Sequence, residues 1–415
     1  MSCVIHSPET VGCSAVRLAR IKPVMQSYVD QHGFAGLSTM IARNGRIIHQ
    51  EQVGWQDLEK KIPLTTDTVF RLYSLTKPII AAAIMTLYEE ARFKLTDPVA
   101  KFLPAFGTVR VMMGRTLTDT RDVALERPIT IFDLLTHTSG LTYNFLEDSP
   151  VSELYRQAGL MTAANQTLEG MISELSRLPL AYQPGSRWHY SLSYDVLAHL
   201  IEVISGQPLQ DFLQKRLFSP LGMNTTGFSV KSADRGQLAT MYGHPDIAAT
   251  TFSAIIKSWQ NGCSGVIDVE NTYPSTNSPD FARGGHGLFS TIGDYMRFTQ
   301  MLLNRGELDG VRILAPKIID FMHMNHLPAS LLPYEIGGVR RTGYGFGLGS
   351  RVLMNVAESV LPGSEGEYGW SGAAKTYYWV DPQEKLIGIL MAQYMVDFTL
   401  PERDFQLLTY QALMD

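Results

Sequence analysis

Two strand–turn–strand signals at opposite ends of the chain constrain this fold more than any other feature. Near the N-terminus, Leu37–Ala42 and Arg46–Val53 alternate apolar with polar residues and are joined by Asn44-Gly45. That dipeptide favours a two-residue turn with both backbones at positive φ, the strongest short hairpin signal. Near the C-terminus, Lys375–Val380 and Lys385–Gln393 flank the proline turn Asp381-Pro382-Gln383-Glu384. Each hairpin has a helical pattern beside it. Val16, Leu18, Ile21, Val24, Met25 and Val29 recur at helical spacing before the first, and Glu402–Met414 follows the second. An isolated hairpin is marginal in water. The two ends are therefore expected to share one antiparallel sheet, with the middle of the chain inserted between them.

That middle is richer in helical patterns. Ile79–Glu90 is apolar with a polar tail, and Val151–Leu178 has helical periodicity. In Ser193–Gly206, Val196, Leu197, Leu200, Ile201 and Ile204 form one stripe, with Gly206 placed to end the helix. Gln210–Leu217 and Tyr295–Leu303 follow suit, the latter behind the capping residues Ser290-Thr291. Segments 225–285 and 327–372 are rich in Gly, Ser and Pro and read as long loops with short strands. The expected class is α/β (α+β): an antiparallel sheet flanked by helices, built from residues 1–95 and 223–415. A mostly helical domain, residues 96–222, is inserted.

Composition narrows the function. The 415 residues carry 35 basic and 40 acidic side chains, a net charge of -5. Nucleic-acid binding favours a basic excess, so no such partner is expected. The longest apolar runs, Ile79–Met85 and Leu386–Ala392, fall short of the ~18 residues a membrane span needs. No membrane partner is expected. Cys3, Cys13 and Cys263 are too few and too far apart for a disulfide framework or a C-x-x-C site. The N-terminal MSCVIHSPETVGC lacks the charged start and apolar core of a secretory signal. A cytoplasmic enzyme is the expectation.

Several short motifs carry chemistry. Ser74-Leu75-Thr76-Lys77 is an S-x-x-K where a loop meets an apolar helix. At i and i+3 the two side chains share a helix face, so the lysine amine reaches the serine hydroxyl. Burial lowers a lysine pKa and lets the amine act as a base. Pro78 follows, which a first helical turn tolerates. Tyr190-Ser191-Leu192-Ser193 precedes a helix; a tyrosine shuttles protons where cations lower its pKa, and otherwise packs or caps. Gly369-Trp370-Ser371-Gly372-Ala373-Ala374 lets a backbone approach a ligand closely, or is a plain Gly-rich turn. His137 and Ser139 in Leu134–Leu141 suit either a serine–histidine pair or a helix-ending turn. His323 and His326 have no third ligand in the sequence pattern and read as surface or capping residues, and Gly284-Gly285-His286-Gly287 is too short for a phosphate loop. Neither G-x-x-x-x-G-K-[ST] nor G-x-S-x-G occurs. No metal and no cofactor is expected, since covalent and acid–base catalysis need none.

Taken in order, these motifs resemble the serine β-lactamase/penicillin-binding superfamily. S-x-x-K near residue 75 is followed by LLTHTSGL, a Y-S-x before a helix, GLFST, and a W-S-G strand. The branch it most resembles is class C β-lactamases and family VIII carboxylesterases, over roughly residues 14–413. The resemblance implies a β-lactamase-like fold with the site between the two domains. It also implies an acylated nucleophile at Ser74, with Lys77 and Tyr190 moving its proton. The backbone N–H groups of Ser74 and Ala373 would form the oxyanion hole. Trp370, Ser371 and Gly372 would stand in the K-T-G box and bind substrate, with Leu192 at the asparagine position of Y-x-N and Tyr344 beside them. Phe346 and Tyr368 are further candidates to line the site, with core packing the competing role for Phe346.

Two departures set the expected substrate. Leu192 offers no side-chain hydrogen bond where the family has asparagine. Trp370 carries no charge where a lysine meets the carboxylate of a β-lactam. Lys375, five residues on, is expected on the opposite strand face. Both losses penalise β-lactams more than neutral esters. The expected function is a carboxylesterase acting on a small-molecule ester with a small to medium acyl chain. The alternatives are a β-lactamase, a D-amino-acid peptidase or amidase, or an acyl transferase of the statin type on the same scaffold. A non-catalytic acyl-binding sensor is the reading from another class. The oligomeric state is left open.

Overall fold

In the computed structural model the described residues are 4–31, 33–114, 116–162, 166–261, 264–270, 272–273, 282–396 and 398–415. Cys3 and Cys263 lie outside them; Cys13 is a buried free thiol. The two hairpins meet in one eight-stranded antiparallel sheet. From the first hairpin come β1 (Gly36–Arg43), β2 (Arg46–Asp57) and β3 (Ile62–Pro63). The C-terminal part supplies β4 (Tyr344–Phe346), β5 (Arg351–Leu353), β6 (Tyr368–Gly372), β7 (Thr376–Asp381) and β8 (Leu386–Met391). The order is β4-β5-β6-β7-β8-β1-β2-β3. The chain ends join where β1 pairs with β8, Ser38 opposite Met391 through Arg43 opposite Leu386. Asn44 and Gly45 have φ 49° and 74°, as the turn chemistry requires.

Period-two patterning gives the sheet two apolar faces. In β8, Ile387, Ile389 and Met391 enter the larger core, while Leu386 and Leu390 enter the smaller one. The smaller core is closed by α1 (Ile21–Gln31) and by α5 (Pro401–Gln411) through Ile21, Met25 and Phe405. The larger is built on α2 (Thr76–Glu89), α3 (Ser193–Ser205) and α4 (Ile292–Leu303). Residues 76–87 of α2 are all buried, so this helix is the axis of the molecule rather than an amphipathic surface helix. α4 starts where Thr291 caps the Asp294 N–H, and α3 ends at Gly206 in the left-handed conformation. Among the described residues no helix is long and apolar enough to cross a membrane.

Several elements differ from the pattern. Val16–Val29 is two helices, Ala15–Leu18 and α1, and Val151–Leu178 contains Val151–Gln157 and Leu168–Leu175. Segment 327–372 contributes three strands of the main sheet, each three to five residues long, too short for periodicity to register. Segment 225–285 carries the helix Phe252–Gln260. His323 caps the C-terminus of the helix Pro316–Met322, its Nδ1 2.9 Å from the Ile319 carbonyl, and stacks on Tyr368 with ring centroids 3.6 Å apart, while the half-buried His326 packs edge-on against Phe321. Lys375 sits in the β6–β7 turn at φ 60°, not in a strand, so the period-two argument does not place it. Its amine donates to the Thr399 carbonyl and lies 3.7 Å from Glu402.

Candidate active site

Ser74 is held by a short turn squeezed between helix and sheet. Residues Tyr73–Leu75 form one 3-10 turn that runs directly into α2. Tyr73 adopts φ 48°, a left-handed conformation that costs a bulky residue about 1–3 kcal/mol. The surroundings enforce it. The Tyr73 N–H donates to the Tyr273 hydroxyl at 3.2 Å, and that hydroxyl donates to the Leu288 carbonyl at 2.6 Å. On the other side Thr376 donates to the Leu72 carbonyl at 2.8 Å. β6 closes to contact there. A Cβ on Gly372 would fall 2.4 Å from the Leu72 oxygen and 3.3 Å from the Ser74 nitrogen, so only glycine fits. The Ser74 and Ala373 amides thus lie near one another, and among the described residues neither donates a hydrogen bond.

Two side chains flank the Ser74 hydroxyl. Lys77 Nζ is 3.0 Å from Ser74 Oγ, and the Tyr190 hydroxyl donates to the same oxygen at 2.6 Å. Lys77 is buried and walled by the rings of Tyr190 and Tyr143, 4.6 Å and 5.3 Å from its nitrogen. It donates to the Gly285 carbonyl at 2.7 Å, and the Gly285 N–H donates to Asp195 Oδ1 at 3.1 Å. Burial pulls the Lys77 amine down to about 7 against the opposing pull of Asp195. The same burial drives the Tyr190 hydroxyl upward, with Ser74 and Trp370 resisting. The condition that cations lower this tyrosine is not met, and it stays protonated at neutral pH. An amine that loses its proton near neutrality and a hydroxyl that keeps its own thus meet at one oxygen.

The other sequence candidates separate cleanly. Trp370, Ser371, Gly372, Ala373 and Tyr344 line a cavity of about 600 Å³ with Ser74 and Tyr190, within the size range of small-molecule sites. Phe346 is core, edge-on beneath Trp370 at 5.3 Å. Tyr368 is turned away against His323. Leu192 does not line the cavity either. It is fully buried, its N–H on the Thr142 carbonyl at 3.2 Å and its carbonyl accepting the Asp195 N–H at 3.0 Å. The substrate-binding expectation for Leu192 is therefore wrong, because the residue faces the core at the start of α3.

His137 and Ser139 do not form a catalytic pair. His137 Nδ1 is 3.2 Å from Ser191 Oγ, whereas Ser139 bonds Ser193 at 2.8 Å. Burial holds the imidazole well below its ordinary pKa, and its ring packs 4.9 Å from that of Tyr190. Its place is structural, buttressing the tyrosine. Sequence reasoning missed Asp195 and Gly285. The signal existed, in the acid two residues after Ser193 and in the Gly-rich Gly284–Gly287 run, but neither matches a motif by itself. Among the described residues no three metal-ligating side chains meet.

Comparison with known proteins shows the family and the fold. The family model described as "Beta-lactamase" matches residues 21–411. Protein Rv1367c of Mycobacterium tuberculosis is 32% identical over 370 residues, covering 88% of this chain and 87% of the relative. Esterase EstB of Burkholderia gladioli is 28% identical over 398 residues and 92% of each chain. Among solved structures, EstCE1, described as a hydrolase with promiscuous acyltransferase activity, superposes with a TM-score of 0.75. It is 26% identical and covers 96% of this chain and 99% of its own. The fold is β-lactamase-like, and the chain belongs to the beta-lactamase family of serine hydrolases.

Proposed function

We propose that this protein is a carboxylesterase of the family VIII type, cleaving esters of small to medium acyl chains through an acyl-enzyme on Ser74. The observation that carries the reading is the placement of Ser74 Oγ between Lys77 Nζ at 3.0 Å and the Tyr190 hydroxyl at 2.6 Å. In this reading neutral Lys77 takes the Ser74 proton as Oγ attacks the ester carbonyl. The Ser74 and Ala373 amides receive the oxyanion. Tyr190 protonates the departing alkoxide, and the proton held by Lys77 restores the tyrosine. Water then repeats the sequence on the acyl-enzyme. The uncharged Trp370 at the cavity wall favours an ester over a β-lactam, and similarity to the esterase EstB supports the same preference. Acyl transfer is the second reading. It is favoured by the similarity to EstCE1, since an alcohol entering the same cavity would replace water as acceptor.

The test is a parallel assay of wild type and Ser74→Ala on p-nitrophenyl butyrate and nitrocefin. Fast ester turnover, slow nitrocefin turnover and an inactive, folded variant are expected. Nitrocefin turnover matching the ester would overturn the ester preference. Wild-type rates in Ser74→Ala would overturn the mechanism.

A further inference from the structure

The cavity is not uniform in charge. Its lining includes the start of α5 and the segment leading into β4, and it carries Arg340, Arg341, Arg351, Arg403 and Lys375. Two acids face them, and each is already committed. Glu367 lies 3.3 Å from Arg351, and Glu402 lies 3.7 Å from Lys375. Among the described residues Arg341 and Arg403 have no ion pair and no side-chain hydrogen bond. The chain as a whole is acidic, with a net charge of -5, so this is a local concentration rather than a general surplus. Arg341 experiences it directly. Partial desolvation, Arg351 and Arg403 act to lower the pKa of this exposed guanidinium, with Tyr334 and Glu402 opposing. Its backbone N–H is fixed on the Tyr334 carbonyl at 2.8 Å, and Arg403 lies in the first turn of α5, where the helix dipole adds charge of the same sign.

The distance to the reacting centre follows from the sheet. Arg351 is in register with Gly369 on β6, and Gly372, three residues along, abuts Ser74. Three strand residues span about 10 Å. Arg341 and Arg403 are both exposed to solvent where they line the cavity, and a guanidinium without an acceptor matches the planar fork of a carboxylate. A carboxylate near the scissile bond would meet Trp370, which has no charge; one reaching past Arg351 in the same cavity would meet Arg341 and Arg403.

We propose that the preferred substrate carries a carboxylate remote from its scissile ester, bound by Arg341 and Arg403. The inference rests on the esterase reading and specifies its substrate class. The measurement compares charged and neutral esters of matched length. One pair places the charge on the acyl side: mono-p-nitrophenyl suberate against p-nitrophenyl octanoate. The other places it on the alcohol side: the butyrate ester of 6-hydroxyhexanoic acid against hexyl butyrate. Wild type should prefer the charged member of at least one pair. In Arg341→Gln/Arg403→Gln that preference should fall at least tenfold, through KM rather than kcat. Arg341→Lys/Arg403→Lys should recover part of it, and 0.5 M salt should weaken it in wild type. Preference for the neutral member of both pairs, or a preference untouched by the double variant, would overturn the proposal while leaving the esterase reading intact. If no ester is cleaved, the esterase reading fails by itself. Suberate binding by calorimetry then decides the subsite, which is refuted if wild type and double variant bind alike.

Discussion

Asp195→Asn isolates the electrostatic control of Lys77. The carboxylate reaches the amine through Gly285: 2.7 Å from Lys77 Nζ to the Gly285 carbonyl and 3.1 Å from the Gly285 N–H to Asp195 Oδ1. One residue spans at most about 3.6 Å. The charges are therefore separated by no more than about 9 Å, taking those two contacts and that span end to end. At an effective dielectric of about 20 this is worth about 1.8 kcal/mol, or just over one pH unit. Asp195 favours the charged amine, so removing its charge lowers the Lys77 pKa further. Asparagine retains the oxygen that accepts the Gly285 N–H, so the geometry is preserved. Activity requires the neutral amine. In wild type, kcat/KM for p-nitrophenyl butyrate should rise with pH through about 7, where Lys77 loses its proton. In Asp195→Asn that acid limb should move down by about one unit. An unmoved limb would show that Asp195 is protonated in the folded protein or is not coupled to the base, and a limb moved upward would reverse the assignment.

Two further substitutions test neighbouring groups. Tyr190→Phe removes the hydroxyl 2.6 Å from Ser74 Oγ but keeps the ring packed on His137. Turnover of p-nitrophenyl butyrate should fall about 10²–10⁴-fold with Tm unchanged, and a loss smaller than tenfold would remove Tyr190 from proton transfer. Leu192→Asn restores the family's side chain at a position that is fully buried here. It should cost about 1–3 kcal/mol for an unpaired amide, seen as a lower Tm, without raising nitrocefin turnover; new nitrocefin activity at unchanged Tm would contradict the placement of Leu192 in the core.

Much of the fold was legible because both hairpins carry explicit turn chemistry. Asn44-Gly45 and the Asp381–Glu384 turn specify local pairs, and the need of each for a partner predicts the β1–β8 seam that the register confirms. The strands β4 and β5 were not legible, since three residues in a Gly-rich segment carry no period. At the site, Ser74 and Lys77 were legible because i and i+3 on a helix fixes their approach without tertiary information. Leu192 was misplaced for the opposite reason. Tyr190 and Leu192 are two residues apart in a segment that is neither helix nor strand, so no period predicts which way each side chain turns. The Lys77–Gly285–Asp195 chain joins three segments remote in sequence, and only the folded packing of α2 against α3 brings them together.

One physical cause accounts for both shifted groups beside Ser74. Desolvation penalises whichever form is charged, so it lowers an amine and raises a phenol. Lys77 and Tyr190 are buried against the same rings and move in opposite directions from ordinary values that nearly coincide. A base available near neutrality and an acid that remains protonated therefore need no separate charged partners for each. Neither shift draws on a cation at position 370. Trp370 instead closes the cavity with an apolar wall 5.8 Å from the Tyr190 ring. It leaves recognition of a substrate charge to the arginines that line the same cavity.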